Sequence, residues 1–97
     1  MTTINDIKKT LATNKKRLAV KYKVKTIGVF GSFVKGNQQK KSDVDILVEF
    51  KETVDFFQFL ELEEHLEKLL GIKVDLVTKR ALKPHIKDNI LKETVYV

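Results

Sequence analysis

The sequence predicts a small domain of α/β or α+β class, with one mixed β-sheet and helices on one face. Two observations carry this. Short apolar runs rich in β-branched residues, at 25–30, 43–50 and 72–77, alternate with longer segments whose apolar residues recur at helical spacing. The length of 97 residues bounds the chain to a single domain, 1–97, with one modest core and no room for a second, substrate-binding one. No internal repeat, linker or low-complexity stretch divides it.

The first helix is expected from Ile4 to Lys21. Thr3 caps it, with Asp6 three residues on in a variant of the capping box. Ile4, Ile7, Leu11 and Leu18 form its apolar side, and Lys8, Lys9, Lys15, Lys16 and Arg17 fall mostly on the other, solvated side. Lys25–Phe30 is the first strand. Ser32–Lys35 forms a helical turn that Gly36 can end. Asn37–Lys41 is a polar loop near the mouth of any site built on this turn, where Lys40 and Lys41 could steer an anion.

The second strand, Asp43–Phe50, alternates. Asp43, Asp45, Leu47 and Glu49 share a face that should line an open cleft, while Val44, Ile46, Val48 and Phe50 share an apolar face that should meet helices. A helix over 55–70 follows, with Thr53 or Asp55 as its cap. Phe56, Phe59, Leu60, Leu62, Leu66, Leu69 and Leu70 form its core-facing stripe; Glu61, Glu63, Glu64, Glu67 and Lys68 cover the rest. Phe57 falls off the stripe, and His65 reads as a surface residue. Gly71 caps the end. Ile72–Val77 is the third strand, with Asp75 standing out as a charge between the apolar Val74 and Leu76. Pro84 opens a last helix to about Leu91, with Ile86, Ile90 and Leu91 as its buried side and His85 in a packing or surface role. Thr94–Val97 reads as a short edge strand.

Bulk composition narrows the function classes. Cysteine is absent, so disulfides and thiolate metal sites are excluded. The start, Met1-Thr2-Thr3-Ile4-Asn5-Asp6, lacks the basic and apolar segments of a signal peptide. No apolar run approaches the ~20 residues of a membrane span. No membrane partner is expected, and the cytoplasm is the expected compartment. The net charge of +6 suits a nucleotide, an RNA or an acidic protein face. Solubility alone explains a charge of this size, so nucleic acid is the lesser expectation.

The chemistry concentrates at Gly31-Ser32-Phe33-Val34-Lys35-Gly36 and Ser42-Asp43-Val44-Asp45. Carboxylates at i and i+2 of a strand lie about 6–7 Å apart on one face. They repel, and one tends to take up a proton unless a cation lies between them. Oxygen ligands suit Mg²⁺ or Mn²⁺, and Mg²⁺ is typically held by one or two carboxylates plus substrate phosphates. Gly31 lets a phosphate approach the backbone, the Ser32 hydroxyl can bind an oxygen, and a short helix starting there aims amides at the anion. Lys35 adds positive charge. Asp75 can face the same cleft if its strand neighbours the second.

A Gly-Ser turn after an apolar strand, ten intervening residues of which the last is Ser42, and Asp-x-Asp opening another apolar strand resemble the polymerase-beta-like nucleotidyltransferase superfamily. Within it the chain is similar to the minimal nucleotidyltransferases, small partners of HEPN-domain proteins in toxin–antitoxin pairs. The resemblance spans residues 20–97 and favours the α+β label. It implies Asp43, Asp45 and Asp75 as catalytic and metal-binding residues, holding two Mg²⁺ ions or Mn²⁺. It implies Gly31, Ser32, Lys35 and Ser42 as nucleotide-binding residues, and ATP as the donor. The implied acceptor is a tyrosine of a HEPN ribonuclease toxin, neutralised by adenylylation within a hetero-oligomer. Relatives often carry Arg where this chain has Lys35; lysine keeps the charge but loses the bidentate fork. Two rival readings follow from the same residues: an antitoxin that neutralises by binding alone, and a nucleotidyltransferase acting on RNA or a small hydroxyl compound.

Overall fold

Both long helices begin on a reciprocal cap. At the first, α1 (Ile4–Lys21), the Asp6 N–H donates to Thr3 Oγ1 at 3.3 Å while the Thr3 N–H donates to the Asp6 carboxylate at 3.0 Å. At α3 (Phe56–Leu70) the cap is Asp55: Gln58 N–H donates to it at 2.8 Å, and the Gln58 side-chain oxygen accepts the Asp55 N–H at 2.9 Å. Each box satisfies amides that the first turn of a helix leaves without partners. Gly71, at φ 70°, ends α3 in the left-handed conformation that glycine adopts without penalty.

The computed structural model describes residues 2–39 and 42–97; Lys40 and Lys41, expected near the site mouth, lie outside them. The remaining elements are β1 (Val24–Phe30), α2 (Ser32–Lys35), β2 (Val44–Phe50), β3 (Val74–Thr78), a 3-10 turn (Lys79–Ala81), α4 (Pro84–Glu93) and β4 (Val95–Tyr96). The strand order is β3-β2-β1-β4. β1 is antiparallel to both β2 and β4, and β2 is parallel to β3, so the sheet is mixed. The parallel pair needs a crossover, which α3 provides.

One core lies between the sheet and the layer formed by α1 and α3. Ile7, Leu11, Leu18, Leu62 and Leu66 pack there against Ile27, Val29, Val44, Ile46, Val48, Val74 and Leu76. The even-numbered face of β2 is therefore the apolar one, as its alternation predicts. β3 is an edge strand, and its outward amides are covered rather than left open: Val74 N–H donates to Glu67 at 3.0 Å and Leu76 N–H to Glu63 at 3.4 Å. Two glutamates from outside the apolar stripe of α3 thus mask a sheet edge.

Four expectations need correction. Phe56 is 68% exposed, as is its neighbour Phe57 at 74%, and the two rings meet edge-on at 6.3 Å. The helical face of α3 runs one turn further than the core it covers. His65 is half-buried, stacked on Tyr22 with ring centroids 4.9 Å apart; burial, then Lys21, Arg17 and Lys68, holds its pKa below the ordinary imidazole value. Helix α4 has no buried residue: Ile86 is 39% exposed, while Ile90 and Leu91 are half-buried. None of its side chains joins the core cluster or packs against it. Finally, the acid-bearing face is not open along its length, since Leu47 is 2% and Phe30 9% exposed.

Candidate active site

Asp45 is the centre of the site, and three pieces of backbone converge on it. Along β1–β2 its register partner is Phe30, the residue before Gly31. Along the parallel β2–β3 pair its partner is Asp75. Residues paired across a sheet present their side chains to the same face, so Asp75 stands beside Asp45. Asp43 precedes β2 by one residue and is exposed.

The turn after β1 comes up against the same carboxylate. Gly31 has φ 79° and ψ −148°, a conformation essentially confined to glycine. A Cβ added there would fall on the Asp45 carboxylate. Glycine is therefore required twice, for the backbone angle and for the approach. Gly36, at φ 74°, ends α2.

Electrostatics marks the same point. The Asp45 carboxyl is pushed up from 3.8 to about 6, first by burial and then by the charge and hydrogen bonding of Asp75, with smaller contributions from Asp43 and Glu93. Crowded carboxylates that hold a proton this tightly have the donor chemistry of a hard divalent cation site, because a cation between them removes both the repulsion and the burial penalty. Among the described residues no three acidic or histidine side chains already enclose a single point. The tight element is the Asp45–Asp75 pair, with Asp43 flanking it.

The other expected residues are placed as follows. Ser32 and Lys35 lie on α2, directly after Gly31. Lys35 Nζ sits 3.4 Å from a Glu93 carboxylate oxygen. The Ser42 hydroxyl accepts the Gln39 N–H at 2.6 Å, and the Ser42 N–H donates to the Gln39 carbonyl at 3.0 Å, so Ser42 closes the loop that leads to Asp43. A concavity of about 340 Å³, lined by residues 48–54 and 78–80, lies at the other end of β2 from the acids.

The family comparison agrees with this geometry. The sequence model described as the nucleotidyltransferase domain matches residues 8–97. The chain belongs to the nucleotidyltransferase domain family. It is 55% identical over 98 residues to a Methanocaldococcus jannaschii protein provisionally named a protein adenylyltransferase, covering all of both chains. It is 50% identical over 97 residues to the protein adenylyltransferase MntA of Thermococcus cleftensis, covering 100% of this chain and 98% of that one. Among solved structures, it matches a toxin–antitoxin crystal structure with AMP-PNP at a TM-score of 0.70 and 28% identity, covering 87% of this chain and 69% of that one. The enzyme class and the α+β fold of a small mixed sheet with helices follow from these matches.

One residue that contacts the candidate site escaped the sequence reading. Glu93, the last residue of α4, accepts the Gly31 N–H at 3.2 Å and pairs with Lys35. A signal was present. An acid in the last helical turn opposes the helix dipole, where Lys or Arg is the favoured choice, so a glutamate there points to a partner elsewhere.

Proposed function

We propose that the protein transfers AMP from ATP to a tyrosine hydroxyl of a HEPN-domain toxin with which it assembles, acting as its antitoxin in the cytoplasm as a single nucleotidyltransferase domain. The observation that carries this reading is the register of the parallel pair, which sets Asp75 opposite Asp45 beside the Gly31 turn. The Thermococcus relative's name, protein adenylyltransferase, supports the donor group, and the toxin–antitoxin structure with AMP-PNP supports both nucleotide and partner.

In this reading Asp43, Asp45 and Asp75 hold magnesium, with manganese as the alternative. A divalent ion bound there offsets the charge of the triphosphate and of the attacking and leaving oxygens. The residues of the chain do the rest. Gly31 admits the β- and γ-phosphates to the backbone, the Ser32 hydroxyl binds a phosphate oxygen, and Lys35 adds a positive charge. Ser42 fixes the loop that presents Asp43 to the nucleotide. Asp75, exposed at the acceptor side, accepts the tyrosine hydroxyl proton as that oxygen attacks the α-phosphorus. The bond from the α-phosphorus to the bridging oxygen breaks, and pyrophosphate leaves. Phosphoryl-type transfer depends mainly on positioning and charge stabilisation, so a small scaffold suffices when a partner presents the acceptor.

Incubation with α-labelled ATP, Mg²⁺ and the protein product of the adjacent gene tests this. The expected result is AMP on a tyrosine of that neighbour, lost with the double substitution Asp43→Asn and Asp45→Asn. Label on RNA or a small molecule, with none on the neighbour, refutes the acceptor. Toxin neutralisation that survives the double substitution refutes the catalytic mode.

A further inference from the structure

Glu93 occupies the position in the turn where an anion of the substrate is expected. Its two carboxylate oxygens engage the Gly31 N–H at 3.2 Å and Lys35 Nζ at 3.4 Å, the groups that the turn offers to a phosphate. Its charge also bears on Asp45, so it belongs to the same electrostatic cluster.

The C-terminal backbone puts it there. β4 pairs with β1 through Gly28–Tyr96 and Val29–Val95. Gly28 permits this close approach: a Cβ at that position would lie 2.6 Å from Thr94 Cγ2 and 3.0 Å from the Val95 carbonyl oxygen. The Thr94 hydroxyl donates to the Ile90 carbonyl at 2.6 Å, fixing the end of α4 one residue beyond Glu93. With its side chain only 26% exposed, Glu93 gives up solvent at a helix end that disfavours negative charge. The Gly31 amide and Lys35 offset that cost.

We infer that Glu93 is a carboxylate latch, holding the Gly31 amide and the Lys35 ammonium in the free protein and releasing both when the triphosphate enters. This rests on the reading that the Gly31 turn takes the nucleotide's phosphates. The latch keeps the turn shaped and its amide paired in the absence of substrate. In exchange it weakens nucleotide binding by the fraction of time it is closed, about tenfold for a latch closed nine-tenths of the time.

Glu93→Gln tests this, since it keeps the side-chain shape and an oxygen for the Gly31 N–H but drops the charge. AMP-PNP is titrated calorimetrically into both proteins at a fixed Mg²⁺ concentration. The latch requires about three- to tenfold tighter binding by the variant. Equal or weaker binding by the variant overturns it. The unsubstituted protein provides a second readout that does not depend on the variant folding. On adding AMP-PNP, the NMR resonances of the Gly31 amide and the Glu93 carboxyl carbon should move together; a Gly31 shift with Glu93 unmoved overturns the latch. Failure of the unsubstituted protein to bind AMP-PNP at all overturns the nucleotide-binding reading, and the latch with it.

Discussion

Replacing Asp45 with asparagine should make the metal-free protein more stable at neutral pH, although it removes the central residue of the site. The Asp45 carboxyl is raised from 3.8 to about 6 by burial and by the neighbouring carboxylates, Asp75 foremost. A raised pKa in the folded state means that the folded protein holds the proton more tightly than the unfolded chain does. The associated stability is fully present below the unfolded value and is lost as pH rises through about 6. At about 1.36 kcal/mol per pK unit, a shift of this size sets an upper bound of about 3 kcal/mol. Asp45 is only half-buried, and salt screens the part owed to its neighbours, so about 1–2 kcal/mol is expected at physiological ionic strength. For a domain of this size that corresponds to roughly 5–15 °C in Tm. The assay is urea or thermal unfolding of both proteins in EDTA from about pH 4 to about pH 8. Their stabilities should match most closely at the acid end, separate as pH rises from about 4 to about 6, and stay apart by a constant amount above that, with the asparagine variant ahead. Adding Mg²⁺ at neutral pH should then raise the unsubstituted protein more than the variant, because only the former keeps the full donor set. Parallel pH profiles, or a variant less stable at neutral pH, would refute the claim that Asp45 carries an uncompensated charge.

Other outcomes test the frame around the site. Gly31→Ala forces a non-glycine residue into its positive-φ conformation and drives a methyl onto the Asp45 carboxylate, so a loss of at least about 1–3 kcal/mol in urea denaturation is expected, together with loss of AMP-PNP binding. Gly28→Ala, whose methyl meets Thr94 and Val95, should release β4 and expose the segment after α4 to limited proteolysis while the core helices stay folded. Leu66→Ala, in the fully buried stripe of α3, should cost about 2–5 kcal/mol. Phe57→Ser, on the same helix but largely exposed, should change stability by no more than about 0.5 kcal/mol.

The local elements were legible in the sequence because local physics decides them. The Thr3–Asp6 and Asp55–Gln58 boxes, the end of α3 at Gly71 and the apolar face of β2 each depend on residues within a few positions of one another. The acids and the Gly-Ser turn stood out as residue types whose charge or backbone freedom does not suit their surroundings. What no spacing rule supplied was the partner of each strand. Asp75 could be matched to Asp45 only on the assumption that β3 lies beside β2, and the parallel register puts the two directly opposite. The same holds for Glu93, 62 positions from the amide it binds, and for His65 against Tyr22. The α3 stripe announced a buried Phe56, yet burial depends on where the opposing sheet stops, and a helix's own periodicity carries no record of that. Contacts made by a side chain with its own neighbourhood can be deduced from order along the chain; contacts made by closing long loops exist only once the whole sheet has assembled.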